Sequence, residues 1–342
     1  MAAYTTIDDP EAYFQVKIYT GNDTNNTAIT LDGDTNMQPD LVWIKSRDNT
    51  EENMLTDSVR PINNYLASDN DGVEDSDSDN MQSLDSDGFT MGVRDTHNSD
   101  GIKYVAWCWK ESATSGFDIV GYTGDGVIGT TVAHSLSAKP EFIMIKARAG
   151  TNAENNWYCW HVGLAANKNM SLNTTAAEFT DPGSGIINTT QNTSTFGFYS
   201  SDSSGIVNVN EDSTTFIAYL FAGKQGFSKF GSYTGNGNAD GPFVYTGFRP
   251  AFIMLKRTDS ATNWNMFDSK RDGFNCDQAQ LKPNSNAAED AGSESTFLDI
   301  LSTGFKCRND ATDKNASGGT YVFMAFAETP FVNSSGVPNN AR

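Results

Sequence analysis

Alternating aspartates in one stretch of the sequence offer the oxygen ligands that a calcium site requires. Over residues 75–79 they occupy the first, third and fifth positions of a calcium-binding loop. The pattern then fails, because its sixth position is Asn80 rather than glycine and its twelfth is Ser86 rather than glutamate. We therefore interpret the acidic stretch 68–88 as a solvated loop, and we predict neither a metal nor any other cofactor.

Three histidines are the natural candidates for acid–base catalysis. His97, His134 and His161 lie in unrelated contexts, without a Gly-x-Ser-x-Gly nucleophile motif or a metal-binding histidine pair. Two carboxylates could hydrolyse a glycoside, but a sequence with 43 acidic residues does not single out one pair. The sequence therefore predicts a protein that is not an enzyme.

Aromatic and polar side chains in the middle of the chain could contact a sugar. Trp157 and Trp160 follow Asn156, and Trp264 follows Asn263 with Asp268 nearby. Aromatic rings stack on the apolar faces of sugars, while carboxylates and amides bind their hydroxyl groups. We treat Trp157, Trp160, Trp264 and Asp268 as possible contacts to a surface glycan, although core packing is the favoured interpretation of these tryptophans.

The composition excludes several classes of partner. The chain has 23 basic and 43 acidic residues, hence a formal charge of −20, and it lacks the basic stripe that nucleic-acid binding requires. No apolar run approaches the roughly 20 residues of a membrane span, and the polar N-terminus predicts no secretion signal. The four cysteines are predicted to be buried thiols, although a disulfide between Cys276 and Cys307 stays open.

Three stretches of about a hundred residues resemble one another. A Tyr-Thr-Gly triplet starts at Tyr19, Tyr122 and Tyr233. A proline, one further residue, four apolar residues and a lysine follow at 39–45, 140–146 and 250–256. The pair Asn156-Trp157 recurs as Asn263-Trp264 and, in altered form, as Asn53-Met54. A period of this length has the size of a domain. We predict three tandem repeats, which we call the first (10–111), second (112–225) and third (226–331) repeat.

Each repeat reads as a series of strands. Short aromatic and β-branched runs end in Gly, Asn and Asp turns, and the four apolar residues before each lysine suit a strand covered on both faces. Helix signals are rare, with one helical turn expected at 297–301. The predicted fold class is all-β, with three tandem antiparallel β-sandwich-like domains. The tail 332–342 is expected to be extended.

The third repeat resembles a family of virion structural proteins of tailed phages that infect marine bacteria, often described as tail-fibre-like. The resemblance rests on the runs 230–252, 256–259 and 318–331, and weaker echoes extend it over most of the chain. It implies a virion location, repeated β domains and no catalytic motif. The first repeat departs from this pattern through its acidic insertion, which suggests a docking role.

These observations favour a tail-fibre or appendage protein that attaches to the host surface. The expected partners are other virion proteins, further copies of this chain in a homo-oligomer, and a host surface glycan, with no nucleic acid and no membrane insertion. A decoration or accessory protein of the capsid or tail is the alternative, and a glycan depolymerase is a third hypothesis. An acidic surface suits all three, because like-charged copies stay soluble before assembly.

Overall fold

Almost all regular structure in the chain is β-strand, as the composition predicts. The computed structural model describes residues 4–150, 155–180, 186–187, 191–200, 207–276, 279–290 and 298–338. The helices within them are two single turns, α1 (Asp95–Asn98) and α2 (Val207–Asn210), and one 3-10 turn (Pro10–Ala12). No helix in these ranges has the length and apolar character that crossing a membrane demands.

The strands occur in three successive groups. The first repeat contains β1 (Phe14–Thr20), β2 (Thr27–Thr30), β3 (Leu41–Ser46), β4 (Met54–Asp57), β5 (Asn64–Ala67), β6 (Asp75–Ser76), β7 (Met81–Asp85), β8 (Gly88–Met91) and β9 (Lys103–Trp109). The second contains β10 (Phe117–Thr123), β11 (Thr131–Ala133), β12 (Phe142–Ala149), β13 (Tyr158–His161), β14 (Lys168–Ser171), β15 (Phe179–Thr180), β16 (Ile186–Ile187), β17 (Thr195–Tyr199) and β18 (Thr215–Phe221). The third contains β19 (Ser228–Thr234), β20 (Phe243–Tyr245), β21 (Phe248–Arg257), β22 (Trp264–Asp268), β23 (Leu298–Leu301), β24 (Gly304–Cys307) and β25 (Thr320–Pro330).

Corresponding strands occupy corresponding places in three antiparallel sheets. The first large sheet has the order β1-β9-β3-β4-β5-β6, the second β10-β18-β12-β13-β14-β15, and the third β19-β25-β21-β22. A three-stranded sheet accompanies each of them, in the orders β2-β8-β7, β11-β17-β16 and β20-β24-β23. The last strand of each repeat therefore pairs with its first strand, which closes each repeat on itself.

The central strands of the large sheets are buried on both faces. Along β9, Tyr104, Ala106 and Cys108 belong to a cluster with the residues of the small sheet, whereas the alternate residues Trp107 and Trp109 face the opposite way. Every residue of β3 is buried, which confirms the expectation for the apolar run before the first lysine. Because side chains on a strand point alternately to opposite faces, each repeat contributes to two cores. We call the cluster between its large and small sheets the outer core, and the cluster on the other face of the large sheet the inner core.

The inner core is common to all three repeats. Trp109 of β9, Phe221 of β18 and Phe326 of β25 contact one another with ring centroids 5.8–6.3 Å apart. Each of the three rings is 1% exposed. The repeats thus face a single axis through equivalent aromatic positions, and the inner faces of all three large sheets are buried there together.

Some local predictions differ from the structure. Residues 298–301 form β23 rather than a helical turn, because Leu298 and Ile300 alternate into an outer core. The tail is not extended over 332–338, where Val332 bridges Pro338 around a turn, and 339–342 lie outside the described residues. The acidic stretch 68–88 is not purely a loop, since it contributes β6 and β7.

Candidate functional site

Three buried lysines hold neighbouring repeats together. They are the lysines of the recurring apolar motif, and each is at most 1% exposed. Every ammonium group donates to a backbone carbonyl of another repeat, so no buried charge lacks a partner. Burial lowers the pKa of Lys45 and of Lys256 to about 8. The contacts run from Lys45 to the Asn286 carbonyl (2.7 Å), from Lys146 to that of Asp71 (3.1 Å) and from Lys256 to that of Thr175 (3.3 Å).

The recurring tryptophans also form contacts between repeats. The indole N–H of Trp157 donates to the carbonyl of Ala67 (2.8 Å), and that of Trp264 donates to the carbonyl of Ser171 (3.0 Å). Strand register places Asn53, not Met54, at the equivalent position in the first repeat. The side-chain amide of Asn53 donates to three backbone carbonyls of the third repeat at 2.9–3.2 Å. It thus supplies the hydrogen-bond donor between repeats that the indole N–H supplies at the other two positions.

The four predicted glycan contacts have no face open to a surface ligand. Trp157 and Asp268 are 0% exposed, Trp264 2% and Trp160 4%. Trp160 packs in the outer core of the second repeat. Asp268 accepts hydrogen bonds from Arg271 Nε (2.6 Å) and from the indole of Trp107 (3.0 Å). All four are packed inside the protein, as the favoured interpretation of the tryptophans expected, because the sheets that carry them are covered on both sides.

A buried ion-pair network joins the first repeat to the second. Asp57 accepts from Arg60 Nε at 2.7 Å, and Arg60 Nη1 contacts Glu74 at 3.3 Å. Glu74 also accepts two hydrogen bonds from Arg148, at 2.8 and 2.9 Å. Burial alone raises the pKa of Glu74, but the hydrogen bonds from Arg148 and the charge of Arg60 bring it below its usual value. Glu74 is therefore ionised at neutral pH.

An equivalent network joins the third repeat to the first. Arg271 contacts Asp268 at 2.6 Å and Glu289 at 2.8 Å, and Glu289 accepts from Arg47 at 2.7 and 3.0 Å. The pKa of Glu289 is lowered in the same way: burial raises it, and the two arginines lower it by more.

Between the second and third repeats, the described residues form no such network. Thr258 stands where the other repeats have arginine, and its carbonyl accepts from the backbone N–H of Glu178 at 2.8 Å. His161 takes the place of the aspartate, and its ring contacts the carbonyl of Phe323 at 3.0 Å. Burial lowers the pKa of His161 to about 4, so this interface is held by a neutral imidazole.

The other two histidines also lie apart from one another. His97 is 1% exposed beside the hydroxyl of Thr96 (3.1 Å), and burial lowers its pKa to about 4. His134 contacts the carbonyl of Asn192 at 3.2 Å, and burial lowers its pKa as well. The structure does not bring the three histidines together. Within the described part of the chain, no three His, Cys, Asp or Glu side chains are grouped to hold a metal ion.

The carboxyl group of Glu111 lies beside that of Asp118 where the first repeat passes into the second. Burial, followed by the hydrogen bond and charge of Asp118, raises the pKa of Glu111 to about 8. Asp118 also accepts from the backbone N–H of Ser135 at 2.5 Å. The carboxyl groups of retaining glycosidases stand about 5 Å apart. A directly hydrogen-bonded pair has no room for a sugar between its members, so this pair does not have glycosidase geometry.

A polar groove opens between the second and third repeats. Its volume is about 350 Å3, within the usual range for a small-molecule site. Its walls include Tyr4, Glu141, Lys224, Lys229 and Tyr245. The hydroxyl of Tyr4 donates to a carbonyl at 2.8 Å. Lys229 donates to the carbonyl of Tyr245 at 2.8 Å, and its ammonium lies 5.0 Å from the centre of that ring. Sequence reasoning missed this groove.

Two aromatic residues of strand β20, of which Tyr245 lines the groove, are not required by the fold. Phe243 and Tyr245 point outward from β20 and are 49% and 50% exposed. The equivalent edge strand of the first repeat carries Ala28 and Thr30 instead. Two half-exposed rings therefore occupy positions that the same architecture fills elsewhere with small side chains. The alternation Phe243-Val244-Tyr245, with only the middle residue buried, is the signal that could have indicated this surface.

The described geometry can be set beside known proteins. No curated protein matches this chain. One family, recorded as a domain of unknown function (DUF7483), matches residues 9–330 and so covers all three repeats. The matched region contains the contact-forming lysines, both ion-pair networks and every wall residue of the groove named above except Tyr4, and the chain belongs to the DUF7483 family.

Proposed function

We propose that this protein is a non-enzymatic structural component of a phage virion, a tail fibre or other appendage that attaches to the host surface. It resides in the virion, contacts other virion proteins and assembles as a homo-oligomer. The resemblance of the third repeat to tail-fibre-like proteins is one support for this proposal. A second support is that the buried lysines, tryptophans and ion pairs make contacts between repeats. These groups stiffen the chain rather than face a substrate.

The chain is proposed to consist of three tandem β-sandwich-like domains around one core. The supporting observation is that strands of equivalent sequence take equivalent places in the sheets over 10–111, 112–225 and 226–331. Each repeat has its own outer core, and all three contribute to the inner core. Such an arrangement gives a rigid module that presents its loops in fixed directions.

One observation favours attachment over decoration. Strand β20 exposes two aromatic rings, Tyr245 in the groove and Phe243 on the same strand, at positions where the fold itself accepts small residues. Exposed aromatic surface beside polar groups is typical of recognition sites. A decoration protein needs to contact only the particle, and the groove gives it no additional function.

Adsorption assays separate the three hypotheses. Purified protein, added free to host cells, is expected to slow adsorption of the phage that encodes it, and quantitative mass spectrometry of particles is expected to find few copies. Many copies per particle together with unchanged adsorption would establish a decoration protein instead. Release of reducing ends from host polysaccharide would make the protein a depolymerase and overturn the non-enzymatic proposal.

A further inference from the structure

The groove between the second and third repeats combines an aromatic surface with Lys224, whose ammonium group has no counter-ion among the described residues. Tyr245 is half exposed, and Lys229 fixes its ring from one side through the carbonyl contact and the cation–π contact. A ring held in this way offers a flat, oriented surface at low entropic cost. Sugar rings stack on such surfaces.

The ammonium group of Lys224 supplies the charge. Its backbone N–H bonds to Ser228, but among the described residues its Nζ meets neither a carboxylate nor a carbonyl. Partial burial lowers the pKa of Lys224, because it removes water from the ammonium without replacing it by an anion. A bound carboxylate restores that missing interaction through a charge-assisted hydrogen bond.

The other repeats provide an internal comparison for both residues. Ser112, between β9 and β10, forms the same backbone bridge that Lys224 forms between β18 and β19. Thr30 pairs with Gly88 as Tyr245 pairs with Gly304. The fold therefore accepts serine and threonine at these two positions, and it does not need a lysine and a tyrosine there. In a chain with a charge of −20, an unpaired lysine beside an exposed ring points to an anionic ligand.

We propose that this groove binds an acidic saccharide through one uronic-acid unit. The sugar ring stacks on Tyr245, its carboxylate pairs with Lys224, and the carboxyl group of Glu141 accepts hydrogen bonds from sugar hydroxyls. This inference rests on the proposed attachment function, since it names the chemistry of the surface that an appendage would recognise.

Isothermal titration calorimetry with tetragalacturonic acid tests the proposal. The wild-type chain is expected to bind it at least tenfold more tightly than a neutral galactose tetramer or inorganic phosphate. Lys224→Ser and Tyr245→Thr each introduce the residue found at the equivalent position elsewhere in the chain, Ser112 and Thr30, and each is expected to weaken binding at least tenfold. Thr30→Ala is the matched control and should leave the affinity unchanged, and coincident urea unfolding curves establish that all variants fold.

Each alternative outcome overturns the saccharide proposal. Equal affinity for the neutral tetramer removes the role of the lysine, and equal affinity for phosphate reduces the site to a simple anion site. Wild-type affinity in both groove variants places any binding elsewhere. The attachment function is judged separately: if wild-type protein still blocks adsorption while no saccharide binds, the ligand class is wrong and the attachment proposal stands.

Discussion

Replacing the central glutamates of the two ion-pair networks should destabilise the protein, whereas the same change at the third interface should not. Glu74 is contacted by two arginines, one of them fully buried, and its side chain is 11% exposed. Removing one charge from a buried pair costs about 3–5 kcal/mol. Because glutamine keeps one acceptor oxygen, we expect Glu74→Gln to lose about 2–4 kcal/mol of unfolding free energy.

The chain contains its own controls for this substitution. Glu289→Gln breaks the equivalent network and should cost a similar amount, since Glu289 also bridges two arginines. Glu178 aligns with both glutamates but faces Thr258, and among the described residues its carboxylate makes no ion pair. Glu178→Gln should therefore change the unfolding free energy by less than about 0.5 kcal/mol.

Urea denaturation at pH 7, followed by tryptophan emission, measures these differences as midpoint shifts at constant slope. The folded-state pKa of Glu74 lies below its unfolded value, so its contribution is present above the unfolded pKa and is lost as the pH falls through the folded one. The gap between wild type and Glu74→Gln should thus close in acid. A cost at Glu178 equal to that at Glu74, or losses under 0.5 kcal/mol at both network glutamates, would refute the assignment.

Three further predictions follow from buried and shared groups. The raised pKa of Glu111, about 8, means that its protonated form stabilises the fold below its unfolded pKa and that this contribution is lost as the pH rises toward 8. Glu111→Gln should therefore have a higher melting temperature than wild type at pH 9, which corresponds to about 1 kcal/mol of unfolding free energy after solvent screening is discounted. At pH 5 the two melting temperatures should be close. All six tryptophans are at most 4% exposed, so acrylamide should quench their emission weakly until urea unfolds the chain; strong native quenching would contradict their burial. Cys276 alone among the four cysteines is not buried, so one thiol should react rapidly with Ellman's reagent, and two or more fast thiols would contradict the structure.

The repeats could be predicted because their strand motifs stay close together in sequence. The run that ends in Lys45 has four consecutive apolar residues, and the buried strand β3 follows directly from that pattern. The partner of this lysine could not be predicted, because the Asn286 carbonyl lies 241 residues away. Local pattern gives the strand, and only the arrangement of the repeats gives the contact.

Sequence alone did not separate sugar contact from core packing, for a related physical reason. A tryptophan beside an asparagine has the same composition whether it faces solvent or a neighbouring repeat. Trp157 and Trp264 face the neighbour, and the equivalent Asn53 shows that a hydrogen-bond donor, not an aromatic ring, is what the position requires. The groove could not be predicted from the sequence, because Tyr4 and Tyr245, which both line it, are 241 residues apart in the chain.

Three aromatic rings of the long strands β9, β18 and β25 determine what this architecture cannot transport. Three sheets around one axis could enclose a lumen wide enough for water or a polymer. Trp109, Phe221 and Phe326 instead fill the centre with rings that touch. At this level the described residues close the axis and leave no channel along it. Water or a polymer can therefore pass only around the outside of the molecule.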